Sequence, residues 1–201
     1  MPNFRISKKP SRTCTKRYRN YRYYKEYLKS DFNDRCGYCD TWDEWFRGSD
    51  FYQIDHFAPQ SRFDSLESEY SNLVYSCPYC NRAKGDDWVT PDNPNISHNG
   101  EIGYIDLCDV EYDQLFYRLE NGEIKAHTSI GEYMYNKLKF YLTRHKVIWN
   151  LTRLYMLCNK LMSMLDDPDI SAEYKKKLDE RYSELSKYLH KYLYLAHGKF
   201  E

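Results

Sequence analysis

Two Cys-x-x-Cys pairs, Cys36/Cys39 and Cys77/Cys80, constrain this chain more than any other feature. Their arrangement, C-x2-C-x37-C-x2-C, sets two equal pairs at a loop-like separation. Four soft thiolates, two per knuckle, meet the needs of a closed tetrahedral zinc site with no open position. Gly37 lies inside the first pair and permits a tight backbone turn. A redox pair or unrelated buried thiols are the competing readings. Cys14, Cys108 and Cys158 have no such partner and read as free thiols. Seven cysteines are an odd number, whereas a disulfide framework is even-numbered and denser.

With 201 residues the chain can bury one core and carry additions. Formal net charge is zero, yet residues 1–30 hold ten Lys or Arg against the single acid Glu26. The remainder holds 20 basic and 29 acidic residues. A basic segment of this kind can follow a phosphate backbone, or it can be a solvated helix face. No apolar run approaches a membrane span and the start is basic without a signal peptide, so the expectation is a cytoplasmic protein.

Residues 1–35 read as a basic arm and a helix. The arm, residues 1–15, reads as flexible, and the helix runs from about Lys16 to Phe32 with Tyr24, Leu28 and Phe32 on one face. Residues 36–90 form the core. Strands are expected through Phe51–His56 and Leu73–Tyr75, and a helix opens at Cys80–Lys84. Residues 91–128 hold a Pro/Asn/Gly loop, then a hairpin turning at Asn121-Gly122 through a type I′ turn. Residues 129–201 read as a helical hairpin. Its first helix runs from about Ile130 to Leu165, with a stripe at Leu151, Leu154, Cys158, Leu161 and Leu165. After Asp166–Asp169, Ser171 caps a second helix with Leu178, Tyr182, Leu185, Leu189 and Tyr192 inward.

The residues between the knuckles suggest chemistry. The imidazole of His56 is of a type that takes a proton from water near neutral pH. Asp55 offers a carboxylate oxygen and Asn81 an amide oxygen, both suited to Mg²⁺ or Mn²⁺. An activated water, in-line geometry and a cation at the developing charge are the needs of phosphodiester hydrolysis. Lys84, one helical turn beyond Cys80, is a candidate phosphate contact, with Arg82 and Arg62 as further candidates. For each residue a bland role stands beside the functional one: a satisfied histidine, a turn-capping Asn72, surface charges.

The run D-H-x-x-P, then N-L, then C-x-x-C-N-x-x-K, preceded by C-x-x-C, resembles the HNH endonuclease family, also called ββα-metal or His-Me finger nucleases. The resemblance covers residues 36–87 and extends to the HNH domain of CRISPR effector nucleases at Asp55–Ser61 and Asn81–Lys84. It implies a small ββα-metal core, and with the elements read above the expectation is an α+β chain: that core with four-cysteine zinc knuckles, plus an N-terminal helix, a β-hairpin and a C-terminal helical hairpin. It implies His56 as general base, Asp55 and Asn81 as ligands of a catalytic Mg²⁺ or Mn²⁺, and Asn72 as the residue that holds the His56 loop. The structural ion would be Zn²⁺. The last motif letter is Asn81 rather than histidine, which preserves an oxygen ligand.

The segment through Thr128, Asn136, Leu138, Thr143 and Arg144 is loosely similar to small bacterial HNH proteins encoded beside ATPases in antiphage systems such as Septu. That similarity implies an ATPase partner docking on the helical hairpin. The function expected is a DNA endonuclease. The same chemistry on RNA, such as tRNA, and a non-catalytic zinc-ribbon module are the alternatives.

Overall fold

The computed structural model describes residues 2–198. It divides into two compact units, Met1–Tyr141 and Leu142–Glu201.

The first unit is built around the four cysteines. Strand β1 (Gln53–His56) pairs antiparallel with β2 (Leu73–Ser76), with Asp55 opposite Val74 and His56 opposite Leu73. Two helices accompany this ribbon: α1 (Lys25–Asp31) and α2 (Pro78–Lys84). The expected N-terminal helix is shorter than its periodicity suggests, a 3₁₀ turn at Tyr21–Tyr24 leading into α1. Tyr24, Leu28 and Phe32 are all buried, as their common face requires. Helix α2 begins earlier than expected, because Pro78 supplies a preset φ at the first helical position and has no N–H to leave unpaired.

Residues 2–15 are not the flexible arm expected. They lack regular structure but are packed: Phe4 and Arg5 are buried, and the Phe4 ring meets Tyr112, Phe116 and Phe140. Arg5 donates to the Gly37 carbonyl at 2.8 Å and pairs with Asp113, while Arg12 pairs with Asp106.

A second hairpin, β3 (Phe116–Arg118) and β4 (Ile124–Ala126), turns where expected but not through a type I′ turn. That turn needs two positive φ values, and only Gly122 has one, at 88°. The Gly122 N–H reaches the Leu119 carbonyl at 2.8 Å, the pattern of an ordinary turn closed by a glycine bulge.

The long helix expected from Ile130 to Leu165 is two helices. Helix α3 (Ser129–Lys137), capped by the Thr128 hydroxyl, belongs to the first unit. The chain then breaks at Lys139, which adopts φ 55°, a conformation no helix tolerates.

The second unit is a hairpin of α4 (Thr143–Leu165) and α5 (Ala172–His197) packed on each other. Leu151, Cys158 and Leu161 of the expected stripe are buried, as is Leu178 on α5, and Ser171 caps α5 through the Tyr174 N–H. No helix among the described residues is long and apolar enough to cross a membrane.

Candidate active site and zinc centre

The four cysteines assemble as the spacing requires of a metal site. Ligand atoms of Cys36, Cys39, Cys77 and Cys80 all lie within 4.8 Å of one another, and all four residues are buried. A tetrahedral ion with Zn–S near 2.3 Å sets sulfurs about 3.8 Å apart, and Cys39 Sγ and Cys77 Sγ are 3.9 Å apart. Burial pushes the Cys36 and Cys80 thiols well above their ordinary range. A divalent ion supplies the positive charge that buried thiolates need, so the donor set fits Zn²⁺. The first knuckle is closed by the Asp40 N–H to the Cys36 carbonyl at 2.9 Å. Asp40 adopts φ 60°, so the left-handed residue of this turn is Asp40 rather than glycine. Gly37 is required for a different reason: a Cβ there would lie 2.6 Å from the Phe32 ring. Its amide also donates to the Tyr75 carbonyl at 2.8 Å, which ties the knuckle to β2.

The end of β1 presents Asp55 and His56 on opposite faces, as strand alternation demands. His56 is 8% exposed. Its Nε2 lies 2.9 Å from the Glu67 carbonyl oxygen, which can only accept. Nε2 therefore carries the proton in the neutral ring, and Nδ1 is left as the acceptor. Tyr21 packs its ring against the imidazole at 71°, centroids 4.8 Å apart.

Asn72 acts on the loop after β1. Its Oδ1 accepts from the Ala58 N–H at 2.8 Å, and its Nδ2 donates to the Ala58 and Leu66 carbonyls at 3.0 and 3.4 Å. The loop so pinned delivers Glu67 to His56.

On the other face, Asp55 is buried and accepts from the Tyr38 hydroxyl at 2.5 Å. Lys84 Nζ is 3.9 Å from the same carboxylate and donates to the His56 carbonyl at 3.0 Å. Burial raises the Asp55 pKa despite these partners, and burial lowers that of Lys84. Lys84 is only 2% exposed, so it cannot serve as the phosphate contact expected of it. Its stem and ammonium point inward from α2 toward Tyr104, whose ring centroid is 5.7 Å from Nζ. Arg82 and Arg62 are exposed on α2 and on the loop after β1.

Asn81 is half-exposed, and its Nδ2 donates to Gln53 Oε1 at 2.9 Å. The register of α2 on β1 thus matches Asn81 with Gln53 and Lys84 with Asp55. Helix α2 thus meets β1 through both Asn81 and Lys84, and the Asp55 carboxylate and the Asn81 amide are the two candidate oxygen donors. As a hard carboxylate and amide pair they suit Mg²⁺ or Mn²⁺ in type, with Lys84 already beside Asp55 as a positive charge.

Sequence reasoning missed Tyr38, Tyr21 and the Glu67 carbonyl. Tyr38 carried a readable signal, since it sits between the cysteines of the first knuckle. Glu67 acts through its backbone, which no side-chain pattern reports.

Residues 36–87 match the family model for HNH endonuclease. No curated protein and no solved structure matches the chain significantly.

Proposed function

Residues 36–87 are an HNH endonuclease domain, and from that premise we propose that this chain is a metal-dependent endonuclease hydrolysing phosphodiester bonds in DNA. The observation that carries the reading is the state of His56. Its Nε2 is committed to the Glu67 carbonyl at 2.9 Å, which leaves Nδ1 as a base.

In the proposed reaction His56 Nδ1 takes a proton from a water aligned with the phosphorus. The resulting hydroxide forms a P–O bond as the bond to the leaving oxygen breaks. Asn72 keeps the His56 loop in place through Ala58 and Leu66. Asp55 and Asn81 would hold the divalent cation, which supplies charge neutralisation at the phosphate and leaving oxygen. Tyr38 and Lys84 orient the Asp55 carboxylate. Arg62 and Arg82 are the exposed candidates for phosphate contact.

A role as effector of an antiphage system, acting with an ATPase partner, rests on the sequence similarity of residues 128–144 alone. Within the fold, Thr128 caps α3 and Asn136 donates to the Glu132 carbonyl, so two of the matching residues have local tasks.

The test is cleavage of supercoiled plasmid and of total tRNA with Mg²⁺ or Mn²⁺, wild type beside His56→Ala. Wild type is expected to cut plasmid, and His56→Ala to lose at least about a hundredfold in rate, the scale of general-base catalysis, while keeping its zinc. Equal activity in both proteins would remove His56 from the mechanism. Cleavage of tRNA in place of plasmid would reassign the substrate to RNA.

A further inference from the structure

The ten cations of residues 1–30 fall into two sets. Arg5, Arg12 and Lys29 pair with Asp113, Asp106 and Asp43. Lys9 donates to the Cys108 carbonyl and Lys16 to the Tyr27 hydroxyl. The side chains of Lys8, Arg17, Arg19, Arg22 and Lys25 have no ion pair or hydrogen bond among the described residues.

Two of those five stand together. Arg22 and Lys25, with Tyr21, Gln53 and Asn81, line an open cleft of about 430 Å³. That volume lies in the ~300–1,000 Å³ range of small-ligand sites. No acidic side chain lines it, whereas the hollow lined by Arg17 and Arg19 includes Glu69. The cleft starts at the candidate site itself. Asn81 forms part of its wall, and Tyr21, another wall residue, sets its ring 4.8 Å from that of His56.

We propose that this cleft is a subsite for a phosphate flanking the scissile one in bound nucleic acid. Arg22 and Lys25 supply its positive charge, and Tyr21 is the wall between it and His56. The inference rests on the nuclease reading of the site. Contacts of this kind fix the register of a strand and carry no base information, so the subsite positions substrate without selecting sequence.

The test uses the full-length zinc-loaded chain carrying His56→Ala, so that binding is read without cleavage. Fluorescence anisotropy follows labelled single-stranded DNA, and RNA of the same sequence, over a series of salt concentrations. Arg22→Ala/Lys25→Ala is expected to weaken binding about tenfold or more and to lower the slope of log K against log salt by about 1.4, or ~0.7 per lost contact on a single strand. Arg22→Lys/Lys25→Arg is expected to keep the parent's slope. A charge-matched control, Lys8→Ala/Lys176→Ala, is expected to bind as the parent does. Unchanged affinity and slope in the cleft variant would overturn the subsite, as would an equal loss in the control, or a parent that binds neither probe. Repeating the series with His56 restored keeps the two ideas apart. Cleavage with unchanged binding in the cleft variant removes the subsite and leaves the nuclease. Binding through Arg22 and Lys25 with no cleavage under any metal leaves a nucleic-acid site and removes the nuclease.

Discussion

Lys84 shows how far a single residue can depart from its reading in one dimension. One turn past a zinc ligand, before Gly85 and two aspartates, it has the look of a surface charge. In the fold its ammonium is sealed against Asp55, the His56 carbonyl and the Tyr104 ring. Removing one partner of such a buried pair leaves the other charge uncompensated. Lys84→Met is therefore expected to lower stability by about 3–5 kcal/mol, read as a fall in the urea midpoint. A change below about 1 kcal/mol, the scale of an exposed ion pair, would show that the charge reaches water after all. The contacts of His56 and Asn72, by contrast, are local: each reaches groups of the loop that joins the two strands.

Among the elements, α3 is fastened to the HNH-matched residues through Asp87. The Asp87 carboxylate, at the end of the family match, accepts from Tyr104, from Tyr133 and from Lys137, the last two on α3. Burial works against this carboxylate, but the three donors outweigh it and hold its pKa below the usual value. A depressed carboxylate stabilises the fold fully above the unfolded value, near ~3.9, and loses that contribution as pH falls through the folded value. Asp87→Asn is expected to cost about 1–2 kcal/mol at neutral pH, allowing for screening at this half-exposed position. The gap between the two proteins should close as chemical-denaturation curves are taken into the acid range. A gap that widens on acidification would contradict the sign. The element boundary just after α3 was hidden from periodicity, because apolar residues continue through the break. Only the left-handed backbone at Lys139 ends the helix, and lysine gives no local sign of it.

Over the whole molecule, two features hold the first unit together: the paired knuckles and the packed N-terminal segment. Chelating the zinc is expected to abolish cooperative unfolding of this unit, followed by near-ultraviolet circular dichroism, since the four thiols hold α2, β2 and the first knuckle at one point. A sharp, unshifted transition in a metal-free sample would show that the core stands without the ion. Phe4→Ala is expected to cost about 3–5 kcal/mol in thermal or urea unfolding, as for other buried phenylalanines. A frayed arm would give nearly nothing.

The residues alone determined the four-cysteine cluster, the strand–loop–strand–helix order and the capped C-terminal hairpin, and they singled out His56, Asp55, Asn72 and Asn81 as candidates. Ligand spacing, strand alternation and cap chemistry are all short-range properties that neighbouring residues express. The tertiary structure alone decided that Phe4 and Arg5 of the basic arm are buried, that Lys84 faces inward, that Tyr38 meets Asp55 and the Glu67 carbonyl meets His56, and which N-terminal cations find no ion pair among the described residues. Each of these depends on what lies across the fold. Whether a charged or aromatic side chain meets water, a carboxylate or another ring is fixed by partners far away in the chain, as Arg5 with Asp113 and Phe4 with Phe140 illustrate.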